Sequence, residues 1–157
     1  GAAIIAGAPA ALRSACADFG RTLGVAFQIM NDLVDFSDGR LRAGCGGCDL
    51  REGKVTYLVL RALQRLPARH KARLEAILCS PELRADDAAI AEGVALVRRS
   101  GAVAECKKEA ARMVADEWAR LSGHLPPSEA KQMLRVLWTF LLDAADNDRF
   151  TQYAPGN

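Results

Sequence analysis

The sequence predicts an all-α fold, and three observations carry that expectation. Apolar residues recur every three or four positions along most of the chain, the spacing that gives a helix one buried face. Ala, Leu and Arg are abundant while aromatic residues make up only 6%, a balance that favours helix over sheet. The breaks between periodic stretches fall at Gly and Pro, residues that end or interrupt helices.

The elements follow in order. A first stretch ends near Gly7, and Pro9 suits the start of the next helix. From 10 to 36, Leu12, Cys16, Phe19, Leu23, Phe27, Met30 and Val34 share one face. Gly20 and Gly24 cost helix propensity there, and close packing against another helix is the expected reason. Residues 37–53 read as one long irregular segment holding Gly39, Gly44, Gly46, Gly47 and Gly53; loops of that length in a compact domain tend to be functional or disordered. Helix is expected to resume at Lys54 and run to about Leu66, with a further helix over 68–78 opened by Pro67. Cys79-Ser80-Pro81 reads as a turn. Asp86 or Asp87 can cap a helix over 86–99. Gly101 separates it from a helix over 102–121, with Val103, Cys106, Ala110, Met113, Val114 and Trp118 on one side. Gly123 to Pro127 breaks the chain again. Ser128 caps a last helix, 128–146, with Lys131 where a capping box has Glu or Gln. Met133, Leu137, Phe140 and Leu141 are expected to face inward, and the tail beyond Phe150 to fray. With no repeat or linker, residues 1–157 read as a single domain.

Composition narrows the function classes. The chain has 157 residues, 50% of them hydrophobic, and a formal net charge of +2. That length supports a sizeable core, and that charge implies neither nucleic-acid binding nor electrostatic attachment to membranes. No apolar run approaches the roughly 20 residues that span a bilayer, so no transmembrane segment is expected. The five cysteines form an odd set without a secretory leader, which points to a reducing, cytoplasmic setting. Cys45 and Cys48 spell C-x-x-C but lack the second pair of a zinc site and the preceding strand of a redox motif. His70 lies among basic residues and His124 in a Gly-Pro turn, and both read as surface positions. Trp118 and Trp138 fall on apolar faces and read as packing residues.

The chemistry concentrates in Phe27-Gln28-Ile29-Met30-Asn31-Asp32-Leu33-Val34-Asp35. Gln28, Asn31, Asp32 and Asp35 are spaced by three and four and share one helical stripe. Polar groups on an otherwise apolar helix must meet water, partners or a cation, and oxygen donors of this kind suit magnesium. A solvated acidic face is the plain alternative. Downstream, Gly47-Cys48-Asp49-Leu50-Arg51-Glu52-Gly53-Lys54-Val55-Thr56 adds two cations beside a fresh helix start. Carboxylates for magnesium followed by amides and a lysine for phosphate make a diphosphate site.

These two motifs, F-Q-x-x-N-D-x-x-D and G-x-D-L-x-x-G-K-x-T, resemble the trans-polyprenyl diphosphate synthases. Phe19-Gly20-x-x-x-Gly24 and the stretch from Gly1 to Gly7 also fit that family. The resemblance implies a helical bundle of the isoprenoid synthase type, here lacking the N-terminal helices, and a usual homodimer. It implies a magnesium-dependent prenyltransferase that condenses an allylic diphosphate with isopentenyl diphosphate. By position, Asn31, Asp32 and Asp35 correspond to the family's second aspartate-rich, metal-binding motif, with Asp32 and Asp35 as its catalytic carboxylates. Phe27 and Gln28 correspond to residues lining the allylic chain, and Lys54 to a lysine that holds diphosphate. The sequence departs from the family in three ways. Asn31 stands where the leading aspartate is usual, Gly44 where the loop lysine is usual, and no D-D-x-x-D occurs. Two readings stay open: a synthase portion completed by its missing half or by a partner chain, or a degenerate non-catalytic subunit that binds and regulates an active synthase.

Overall fold

The structure, a computed structural model, describes residues 1–37 and 46–144, with no side-chain description for 143 and 144. Among the described residues every regular element is a helix. They are α1 (Ala2–Ile5), α2 (Ala10–Val34), α3 (Cys48–Arg51), α4 (Tyr57–Arg65), α5 (Ala68–Cys79), α6 (Pro81–Ala85), α7 (Asp87–Arg99), α8 (Ala102–Gly123) and α9 (Glu129–Ala144). The chain divides into two compact units, one of Gly1–Gln28 with Glu109–Asn157 and one of Ile29–Lys108.

The second unit has a closed core. Leu58, Val59, Ala62, Leu74, Ile77, Val97 and Cys106 are wholly buried, and Leu50 joins them from α3. α5 packs on α6 and α7, and α7 also packs on α3 and α4. Three helix starts in this unit have a local reason. The Thr56 hydroxyl accepts the Val59 N–H at 3.4 Å, the Ser80 hydroxyl accepts the Leu83 N–H at 3.2 Å, and the Asp86 carboxylate accepts the Ala88 N–H at 3.0 Å. These are N-caps, each satisfying a donor the helix itself leaves open. Gly101, at φ 76°, makes the left-handed turn that separates α7 from α8.

In the first unit Trp118 packs against Phe19, with ring centroids 5.7 Å apart, and against Trp138 at 6.2 Å. This agrees with their reading as packing residues. Ser128 caps α9 through the Lys131 N–H at 3.2 Å. Lys131 does not complete a capping box. Its ammonium instead donates to the carbonyls of Ser122 at 2.6 Å and Leu125 at 3.0 Å, satisfying oxygens at the end of α8 and in the break beyond it.

Several expectations need correction. Met133, Leu137 and Phe140 do not face inward: they are exposed, with Val136 beside them on the same stripe. A 3.6-residue period shows that a helix has an apolar face but does not say that this chain covers it. Gly20 and Gly24 are not close-packed, since a Cβ built at either meets nothing within 4 Å. The segment 37–53 holds a short helix, α3, and Ser80-Pro81 opens a helix rather than a turn. α4 begins at Tyr57 rather than Lys54 because Thr56 is its cap. α2 ends at Val34, short of residue 36.

Candidate functional site

The site is built where α2 ends and α3 begins. α2 places Asn31 and Asp32 on its last turns, Asn31 exposed and Asp32 half-buried, with Asp35 in the turn that follows. Ile29, Met30 and Leu33 are buried, whereas Asn31 between them is exposed and Asp32 half-buried. Phe27 and Gln28 lie on α2 in the first unit, Phe27 half-buried and Gln28 exposed.

Asp35 is tied to the downstream motif by three bonds. Its carboxylate accepts the Cys48 N–H through Oδ1 at 3.1 Å and the Asp49 N–H through Oδ2 at 3.0 Å. Its carbonyl accepts the Gly47 N–H at 3.2 Å. Gly47 precedes α3 at φ 80° and has no side chain to offer as a cap. A Cβ there would fall 2.7 Å from Ile90 Cγ2 and 2.9 Å from Val94 Cγ2. Glycine is therefore required both by the left-handed turn and by the close approach of α7.

Lys54 follows the second tight turn, made by Gly53 at φ 70°. Its amide donates to the Asp49 carbonyl at 2.8 Å. Its ammonium contacts Glu52 Oε2 at 2.5 Å and Asp49 Oδ1 at 3.3 Å. The hydrogen bond to Glu52, then that to Asp49, raises the Lys54 pKa above the usual 10.5, so the group is a fixed positive charge at neutral pH. Arg51 pairs with Asp87 and fastens α3 to the start of α7. Thr56 is engaged as the cap of α4.

The structure thus brings Asp35, Asp49 and Lys54 into one bonded set. Asp49 as the acceptor for Lys54, and Thr56 as a cap, were not singled out in the sequence; the x-D-L and K-x-T positions of the motif were the available signal. Gly44 and Cys45 lie outside the described residues. The donor set of Asn31, Asp32 and Asp35 is one amide and two carboxylates. Magnesium takes one or two carboxylates and fills its octahedron with water and phosphate oxygens, so this donor chemistry fits it. Among the described residues no three His, Cys, Asp or Glu side chains converge on one cation position, so a magnesium ion here would rely on ligands beyond these side chains. No described helix is long and apolar enough to cross a membrane.

Comparison with known proteins gives a consistent result. A family model described as polyprenyl synthetase matches residues 1–96. The chain is 33% identical over 135 residues to a short chain isoprenyl diphosphate synthase of Methanothermobacter thermautotrophicus, covering 83% of this chain and 39% of that protein. It is 37% identical over 135 residues to an octaprenyl diphosphate synthase of Haemophilus influenzae, covering 85% and 40%. It is 33% identical over 140 residues to a heptaprenyl diphosphate synthase component 2 of Geobacillus stearothermophilus, covering 88% and 42%. Among solved structures it resembles a geranylgeranyl pyrophosphate synthetase from Pyrococcus horikoshii, with a TM-score of 0.68 and 26% identity over 82% of this chain and 38% of that one. The chain therefore spans about two fifths of the length of these relatives.

Proposed function

The chain belongs to the polyprenyl synthetase family, with the all-α fold of the isoprenoid synthases, and from that premise we propose that it serves the magnesium-dependent condensation of an allylic diphosphate with isopentenyl diphosphate. One observation carries this reading. The carboxylate stripe and the lysine motif, separate in sequence, are joined through Asp35 and Asp49 into a single bonded set.

In this role Asn31 and Asp32 would present oxygens to magnesium, with Asp35 beside them tied to the first amides of α3. When bound, magnesium would offset the charge of the diphosphate as it departs. Lys54, held charged by Glu52 and Asp49, would bind a diphosphate oxygen in the same way. Phe27 and Gln28 would line the allylic chain, Phe27 as an apolar surface that keeps water from the reacting carbon. The relatives are more than twice as long, and no D-D-x-x-D is present. The remaining metal carboxylates would come from the rest of the family fold, in a homodimer or a complex with another synthase chain. The exposed Met133, Val136, Leu137 and Phe140 of α9 support such an association, because contiguous apolar patches mark contact surfaces.

Asn31 also favours a second reading, a non-catalytic subunit that binds and regulates an active synthase. An amide adds no charge to the metal site, and this position usually carries an aspartate in the family. Two measurements test the proposal. Titration calorimetry with an allylic diphosphate analogue should show binding by this chain that requires magnesium; its absence would refute the substrate assignment. Prenyl transfer should then be assayed after mixing with a synthase chain whose own second motif is disabled. Restored turnover supports the catalytic reading, and binding without turnover supports the regulatory one.

A further inference from the structure

We infer that Asp35 is a positioning residue whose carboxylate caps α3 and, through Asp49, sets where Lys54 stands. The path is short and fully bonded. α3 lacks a side-chain cap of its own because Gly47 precedes it. Asp35, 13 residues upstream, takes that place with both carboxylate oxygens, one on the Cys48 N–H and one on the Asp49 N–H. The Asp35 carbonyl holds the Gly47 N–H as well. Asp49, so anchored, accepts the Lys54 amide on its carbonyl and the Lys54 ammonium on its carboxylate. The Gly53 N–H closes the turn between them on the Leu50 carbonyl at 3.0 Å. Two residues therefore connect the acidic stripe to the lysine, and the connection needs no metal. With a backbone donor on each oxygen, the Asp35 carboxylate is oriented by the protein itself rather than by a metal. Within the stripe the structural duty falls to Asp35.

The cap itself stands independently of the proposed prenyl transfer, while its effect on ligand binding rests on the diphosphate reading. Two arms separate these. In metal-free buffer with a chelator, amide hydrogen exchange should show Cys48, Asp49 and Lys54 protected in the unaltered chain. Asp35→Asn, which puts an amide NH2 where one oxygen accepted, should speed exchange at those three amides and leave α5 and α7 unchanged. Absent protection in the unaltered chain, or unchanged exchange in the variant, would overturn the inference. In the second arm, inorganic diphosphate is titrated with magnesium in a double-mutant cycle. Asp35→Asn and Lys54→Ala should weaken binding by similar factors, and Asp35→Asn should change it less than about twofold in the Lys54→Ala background, the non-additivity expected of residues acting through one another. A full, additive loss in that background would assign Asp35 to the metal instead and overturn the positioning role. Failure of the unaltered chain to bind diphosphate would refute the substrate reading alone, since the exchange arm still decides the cap.

Discussion

Replacing Gly47 by alanine tests how the site is built. The perturbation adds one methyl group at φ 80°, immediately before α3. Two costs follow. A non-glycine residue in the left-handed region loses roughly 1–2 kcal/mol. The new Cβ would also stand 2.7 Å from Ile90 Cγ2 and 2.9 Å from Val94 Cγ2. Ile90 and Val94 are 2% and 3% exposed, so neither methyl has free space to move into, and overpacking of this kind costs about 1–3 kcal/mol. The expected loss is about 2–5 kcal/mol, a large part of a small domain's stability. Urea denaturation followed by far-UV circular dichroism measures it, with the m-value checked for constancy. Gly24→Ala is the matched control. A Cβ there meets nothing within 4 Å, so mid-helix alanine should stabilise by about 1 kcal/mol. A Gly47→Ala chain within about 0.5 kcal/mol of the parent, inside the range of an ordinary surface change, would refute the packing argument. A destabilised Gly24→Ala chain would show instead that another body occupies that face in solution.

Other consequences follow from the same structure. Asp86→Ala should cost about 1 kcal/mol through loss of the α7 cap, read as a lower urea midpoint at unchanged m. Glu105→Gln removes the negative charge shared by Arg61 and Arg65 and should cost about 1 kcal/mol, the upper end for a surface pair, with the loss shrinking in double variants that also lack Arg61 or Arg65. Lys54 has a raised pKa, so its contribution to stability is fully present below its unfolded value and is lost as pH rises through its higher folded value. Nitrogen NMR titration should find it titrating above 10.5, and Glu52→Gln, which removes the largest cause, should move it down. Asn31→Asp should tighten magnesium binding in calorimetry, since a carboxylate in place of the amide adds charge to the donor set.

The helices longer than two turns were legible because their periodicity is internal to each segment. Cys106, Ala110 and Val114 are buried as the α8 pattern required, and Asp86 and Ser128 cap where their position before an apolar run suggested. The short helices were not. α3 has four residues, too few for a period, and its cap comes from a distant residue. α6 was more accessible: Ser80-Pro81-Glu82 carries an N-cap, a proline at the first position and an acidic first turn, the usual signature of a helix start. It was obscured because the same Ser-Pro pair also begins turns. The α9 stripe shows a different limit. Sequence spacing placed Met133, Leu137 and Phe140 on one face, but what covers a face is a property of the assembled molecule.

The candidate site divides along the same line. The stripe of Asn31, Asp32 and Asp35 is a local pattern, and spacing by three and four was enough to place it. The relation of Asp35 to Lys54 is not local. It depends on the chain returning after residue 45 so that the donors of Cys48 and Asp49 meet one carboxylate. Nothing in an acidic side chain's identity distinguishes a ligand from a cap, because both uses need the same oxygens. What distinguishes them is the direction of nearby N–H groups, fixed here by a left-handed glycine and by Ile90 and Val94 pressing against it. The packing of α7 on α3 therefore enters the chemistry of the site. It leaves room for no side chain at residue 47, and the missing cap is supplied by Asp35 from the acidic stripe itself.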